Sequence, residues 1–155
     1  MRFTRFAIVL AGGMAAFSAT ASAQKPIPLD VAENMAHEAL TCSRAHGYKT
    51  TSVVIVDHFM MQRVMLADDD APPSTTQTCK IKADSAILFD RPSGDHLPPG
   101  ATADTPTVTP GATRHKGGAP IKVNGVTIGA IGISGDASDG DCAKATVAKF
   151  ADKLK

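Results

Sequence analysis

The sequence predicts an α+β domain in which an antiparallel sheet is flanked by helices. Three observations carry that prediction. Apolar residues recur at helical spacing in three separate segments, short runs dense in Val and Ile lie between them, and Asn124-Gly125 sits between Val123 and Val126. An Asn-Gly pair between two β-branched residues is the strongest short-range signal for a tight hairpin that this chain contains, because both central positions of the turn need a positive φ.

The first helix is expected over IPLDVAENMAHEALTCSRAHG, where Val31, Met35, Ala39 and Ala32, Ala36, Leu40 form one stripe. Asp30 and Glu33 have capping-box spacing, and Gly47 stands where a left-handed residue could end the helix. TTSVVIVD then reads as a strand buried on nearly both faces, and QRVMLAD as its partner across a tight connection at His58 to Met60. Pro72 and Pro73 end that pair, since proline cannot continue a ladder.

A second helix over TTQTCKIKADSAILF gathers Cys79, Ala83, Ala86 and Ile87 on one face and closes at Arg91-Pro92. Residues 93–116 are rich in Pro, Gly, Thr and Ala without periodicity, which predicts a long mobile loop. Pro120 to Val123 and Val126 to Ser134 are the arms of the Asn-Gly hairpin. The chain then ends in a helix whose apolar face uses Ala143, Val147, Phe150, Ala151 and Leu154. In GGAPIKVNGVTIGAIGISG, residues 117–135, glycine alternates with Ile and Val. Gly129, Gly132 and Gly135 remove side chains from a strand, as close packing by a helix, a ligand or a partner subunit would require.

The 155 residues suit one domain with a core of its own. Sixteen Lys and Arg against fifteen Asp and Glu leave no field for a polyanion, so nucleic acid is not an expected partner. Arg2 and Arg5, the run AIVLAGGMAAF, and Ala21-Ser22-Ala23 together read as a signal peptide over residues 1–23. The run is too short to stay in a bilayer as an anchor. The mature domain is therefore expected over 24–155, periplasmic or secreted, with no membrane span once the leader is removed. In that oxidising setting Cys42, Cys79 and Cys142 allow one disulfide with one thiol left over, or none.

The chain resembles the HbpS/GlcG family of haem-binding proteins, also described as haem-degrading domain proteins. The resemblance is carried by VVIVD before the first hairpin, by Asp69, Ala71 and Pro72 after it, and by Ser74, Lys82-Ala83, Ala86, Phe89 and Arg91-Pro92 in the second helix. It is carried above all by GGAPI, VNG and IGAIGISG, with Asp141 opening the last helix. It implies a profilin-like or PAS-like sandwich, a haem ligand and assembly into a homo-oligomer. Two departures stand out. The family's Ala-Gly-Gly-His hairpin is here His58-Phe59-Met60-Met61, without glycine, and the helical segment that relatives carry after Arg-Pro is replaced by the 93–116 loop.

A haem site needs an apolar slot, an axial donor such as His or Met, and often a cation for the propionates. His58, beside Phe59, Met60 and Met61, is the first candidate axial ligand, and His115, just before Gly117-Gly118, the second. Phe59 and Met61 would line the slot, while Gly117 and Gly118 would let the ligand approach the backbone. Lys82 matches the family's helical lysine and could neutralise a carboxylate at a pocket mouth, and Ser85 could donate a hydrogen bond to the ligand. His96 lies in the long loop and His37 and His46 on the first helix, where surface roles suffice.

Turn chemistry accounts for Asp57, and no nucleophile accompanies Asp57 and Asp69, so no catalytic constellation of protein groups is expected. Haem breakdown would enter only through the resemblance. The expected function is haem storage, sensing or transfer outside the cytoplasm. The alternative is a non-haem small-molecule-binding or accessory assembly module of the same family.

Overall fold

The structure, a computed structural model, describes residues 26–95, 97, 99–106 and 109–154. The expected signal peptide and His96 lie outside the described residues. The elements follow the expected order. They are α1 (Leu29–Ala45), β1 (Ser52–Asp57), β2 (Gln62–Ala67), α2 (Pro73–Leu88), β3 (Gly118–Val123), β4 (Val126–Ser134) and α3 (Asp139–Phe150), with a closing 3-10 turn at Ala151–Leu154.

The sheet is antiparallel throughout in the order β2-β1-β4-β3. Its central strands are covered on both faces, which is why VVIV reads as an unbroken apolar run rather than an alternating one. Val53, Ile55, Ile131 and Ile133 face α1 and α3, while Val54, Val56 and Ala130 face α2. All six expected stripe residues of α1 are buried, and Gly47 takes φ 90° where the helix stops. The Asn-Gly turn forms as expected, with φ 50° at Asn124 and 81° at Gly125.

Several expectations need correction. No side chain caps α1. Its N-cap position is Pro28, so Asp30 already lies in the first turn, where it favours the helix dipole instead of closing a capping box. α2 starts earlier than expected, at Pro73, since a proline is tolerated in the first helical turn, where its missing N–H would have no partner. β3 takes in Gly118 and Ala119 as well as Pro120 to Val123. Ala151 is exposed rather than facing the core, because the chain tightens to 3-10 geometry after Phe150 and turns that residue outward.

α2 sits unusually close to the sheet. A Cβ on Gly132 would lie 2.0 Å from the Cys79 carbonyl oxygen, and one on Gly118 would lie 2.0 Å from that of Lys82. The helix answers with small residues on its lower face, Cys79, Ala83 and Ala86. Lys82 is pinned at the same level. Its Nζ donates to Asp139 Oδ2 at 2.6 Å and to the Ile133 carbonyl at 3.0 Å, and both side chains are nearly inaccessible. Asp139 also accepts the backbone N–H groups of Gly135 and Asp136, so one carboxylate joins α2, the end of β4 and the start of α3. Removing either member of such a buried pair costs about 3–5 kcal/mol, because the other charge is left unpaired.

On the opposite face, Cys42 of α1 and Cys142 of α3 form a disulfide that closes a separation of 100 residues. Such a link contributes about 4–5 kcal/mol in the chain-entropy picture. Cys79 remains a free thiol beneath α2, and burial pushes it up to about 12, so it stays protonated. The described parts of the long loop are tied down near both ends. Ser93 Oγ donates to the His115 carbonyl and accepts from Gly118 N–H, and Thr113 N–H donates to Ser85 Oγ.

Two alanine substitutions separate steric contact from backbone preference. Gly132→Ala forces α2 off the sheet and is expected to lower unfolding free energy by about 3 kcal/mol or more. Gly125→Ala meets nothing within 4 Å and carries only the left-handed penalty of about 1–2 kcal/mol. Urea denaturation measures both, and equal losses would contradict the close approach of α2.

Candidate functional site

The β1–β2 hairpin is built around Asp57. Its Oδ1 accepts the N–H groups of Phe59 at 2.9 Å and Met61 at 3.0 Å, its backbone N–H donates to the Met61 carbonyl, and its carbonyl accepts from Met60 N–H. These four bonds hold Met60 at φ 62°, the left-handed value that a glycine would adopt freely. The sequence thus keeps a glycine-type turn without the glycines, and Asp57 is the residue that makes it hold.

The turn presents two of its side chains outward, while His58 and Met60 are half-buried. Phe59 is 73% exposed and Met61 64%. The imidazole of His58 stacks on the Phe59 ring with centroids 3.8 Å apart and planes tilted by 41°. A turn this short does not need two large apolar groups in water, and they form an exposed apolar surface beside the imidazole of His58. Just beyond, the ladder slips: Val56 pairs with Gln62 and Ile55 with Val64, leaving Arg63 as the extra residue of a bulge. Arg63 is exposed, two residues from Met61.

The remaining candidates form a second, separate group. Lys82 is not at a pocket mouth, because its ammonium is held inside the fold by Asp139. Ser85 is buried, donating to the Ile81 carbonyl and accepting from Thr113 N–H, so its hydroxyl ties the long loop to α2. Gly118 lies under the Lys82 carbonyl, and Gly117, at φ 129°, faces the Ile133 carbonyl oxygen at 2.4 Å from where a Cβ would stand. That closeness belongs to helix and strand backbone, leaving no room there for a ligand. His115 is half-exposed, with Nε2 3.5 Å from Asp104 Oδ1.

His115 and His58 are not brought together. Asp57 pairs with Gly129, which pairs with Ile121, and Gly118 starts β3 three residues further along. With strands about 4.8 Å apart and a rise of about 3.3 Å per residue, Asp57 and Gly118 are roughly 14 Å apart on the sheet, and the two histidines lie beyond them in opposite directions.

A third location is an open depression of about 240 Å³ lined by Arg44, Lys49, Asp68, Asp69 and Asp70. Asp68 there accepts from Arg44 Nε at 2.9 Å and from Thr51 N–H at 3.0 Å. Ligand clefts for drug-sized molecules run to about 300–1,000 Å³ and are mostly apolar, so this charged hollow does not suit a macrocycle. The first hairpin carries the residue types that a haem site uses, an aromatic ring, a thioether, an imidazole and an adjacent guanidinium. Arg63 was missed in the sequence because nothing in periodicity marks a bulge. Its only signal is the odd spacing between the two strand patterns.

The chain belongs to the HbpS-like family. The family model described as haem degrading protein HbpS-like matches residues 27–148. HbpS from Streptomyces reticuli, solved as a double mutant, is 25% identical with a TM-score of 0.74, over 95% of this chain and 99% of that one. A Klebsiella pneumoniae protein, ORFY, has the same fold at 23% identity and a TM-score of 0.72, over 84% of this chain and 95% of that one. A PduOC:heme complex is similar in fold at 21% identity and a TM-score of 0.68, over 80% of this chain and 94% of that one. Among curated proteins there is no significant sequence match. No helix among the described residues is long and apolar enough to cross a membrane.

The strain and its support can be separated by mutation. Met60→Gly relieves the left-handed penalty and is expected to hold or raise stability, by up to about 1 kcal/mol. Asp57→Ala leaves two N–H groups without their acceptor and is expected to lose about 1–3 kcal/mol. Thermal unfolding of both variants checks the pair; a destabilised Met60→Gly would contradict the reading of the turn.

Proposed function

We propose that this protein is an exported haem-binding protein for storage, sensing or transfer, which holds haem against its first hairpin with His58 as the axial donor. The observation that carries the proposal is the presentation of Phe59 and Met61 to solvent, beside a half-buried His58, by a turn fixed through Asp57. Membership of the HbpS-like family supports haem over other flat ligands.

In this reading the bound iron supplies any redox or oxygen chemistry, and the chain's own residues bind and orient. Phe59 and Met61 would supply apolar contact for the macrocycle, His58 would offer a ring nitrogen to the iron, and Arg63 would neutralise a propionate. Lys82 and His115 take no part, since the first is held internally and the second lies across the sheet. One hairpin covers only one face of a flat ligand, so the proposal includes a homo-oligomer in which a second copy shields the other. Export is supported by the Cys42–Cys142 disulfide, which persists in oxidising compartments. Exported material is expected to begin at Gln24.

Titrating hemin into the purified protein while following the Soret band tests the proposal. A saturable shift is expected, altered or lost in His58→Ala, weakened in Phe59→Ala, and unchanged in His115→Ala. A His58→Ala spectrum identical to that of the unaltered chain would remove this site. No saturable shift at all, with the oligomer intact by light scattering, would favour a non-haem accessory module of the family.

A further inference from the structure

Cys42, His46 and Cys142 meet at the end of the molecule where α1 finishes and α3 begins. Their ligand atoms, two sulfurs and one imidazole nitrogen, all lie within 4.8 Å of one another. Cys42 and His46 are four residues apart, so they share one side of the helix end, and His46 N–H donates to the Cys42 and Ser43 carbonyls, which keeps that spacing where the helix stops. Cys142 comes from the opening turn of α3, with its N–H on the Ser138 carbonyl. His46 is exposed and Cys42 half-buried, which leaves an approach from solvent.

We propose that reduction of the Cys42–Cys142 bridge converts it, together with His46, into a three-ligand zinc site. The reductant is a dithiol. Two electrons and two protons pass to the disulfide, the sulfur–sulfur bond breaks, two thiols form, and the reductant leaves as its own disulfide. Zinc then replaces the two thiol protons, which go to solvent, and the His46 nitrogen completes the protein ligands, with water in the fourth position.

The geometric demand is small. Zinc–sulfur bonds of about 2.3 Å in a tetrahedral site place the two sulfurs about 3.8 Å apart. Cα atoms 5.7 Å apart accommodate that separation by side-chain rotation. The same three side chains thus have two exclusive states, a covalent staple between α1 and α3 or a metal clip between them. Either one ties the helices, so the metal form would retain part of the link that reduction removes. His46 has no role in the staple, which makes it the residue that distinguishes the two states.

The test uses the Cys79→Ala chain, so that the buried third thiol cannot contribute, reduced anaerobically with excess dithiol and freed of reductant. Cobalt(II) is the spectroscopic probe and zinc the competitor. Expected are thiolate-to-cobalt charge transfer and the strong visible bands of a tetrahedral site, saturating at one equivalent and bleached by zinc. The oxidised chain is expected to show none of these bands, and His46→Ala to bind at least tenfold more weakly. Circular dichroism accompanies each titration. If reduction loosens the helices, cobalt is expected to restore the signal, and failure to restore it overturns the proposal. Binding by the oxidised chain, equal affinity in His46→Ala, or no cobalt bands at all also overturns it.

Discussion

The contact on which the rest of the structure depends is the approach of the α2 backbone to the sheet backbone at Gly118 and Gly132. Side chains at those two positions would stand 2.0 Å from helix carbonyl oxygens, so no other residue type permits the observed separation. That closeness fixes what else α2 can carry. Its inward residues must be small, and its inward cation, Lys82, is almost wholly shielded from solvent and finds its anion inside, in Asp139. The glycine-rich return strand therefore serves packing first, and the buried ion pair locks the packed layer to the turn that launches α3.

A consequence follows for where a ligand can bind. With α2 pressed onto β3 and β4, the surface around Gly117, Gly118, Lys82 and Ser85 is closed by the fold's own backbone and by the long loop tied to Ser85. The opposite face is filled by α1 and α3 and stapled by a disulfide. The hairpin end of the sheet, where β1 turns into β2, stays open. There the chain holds a non-glycine residue at positive φ and leaves a phenylalanine and a methionine in water beside a histidine. Local stability alone does not call for that combination, and the proposed haem site rests on it.

Much of the architecture could be read from the sequence, because it rests on local signals. The α1 stripe, the Val-rich β1 and the Asn-Gly turn each depend on neighbours a few residues away, and each forms as its pattern predicts. The family could be read as well, through GGAPI, VNG and IGAIGISG. What sequence could not supply was pairing across distance. Lys82 could be offered as a ligand-binding cation because its partner Asp139 is 57 residues away, and Ser85 as a ligand donor because Thr113, which reaches it from the loop, is 28 residues away. The cysteine partners, 100 residues apart, were equally beyond any local rule. Of the site residues, His58, Phe59 and Met61 were legible as an apolar cluster in a turn. The role of Asp57 in holding that turn was visible only in part, and the bulge that frees Arg63 was not visible at all.

The proposed binding surface is the first hairpin and not the glycine-rich strand. Proton–nitrogen correlation spectra of the labelled protein, recorded with and without ferric haem, test it directly, since paramagnetic iron broadens nearby amide signals. Selective loss of the signals from Asp57 to Arg63 is expected, with those of Ser85, Gly117 and Gly118 retained. Broadening centred on Gly117 and Gly118, with the hairpin signals unchanged, would contradict it.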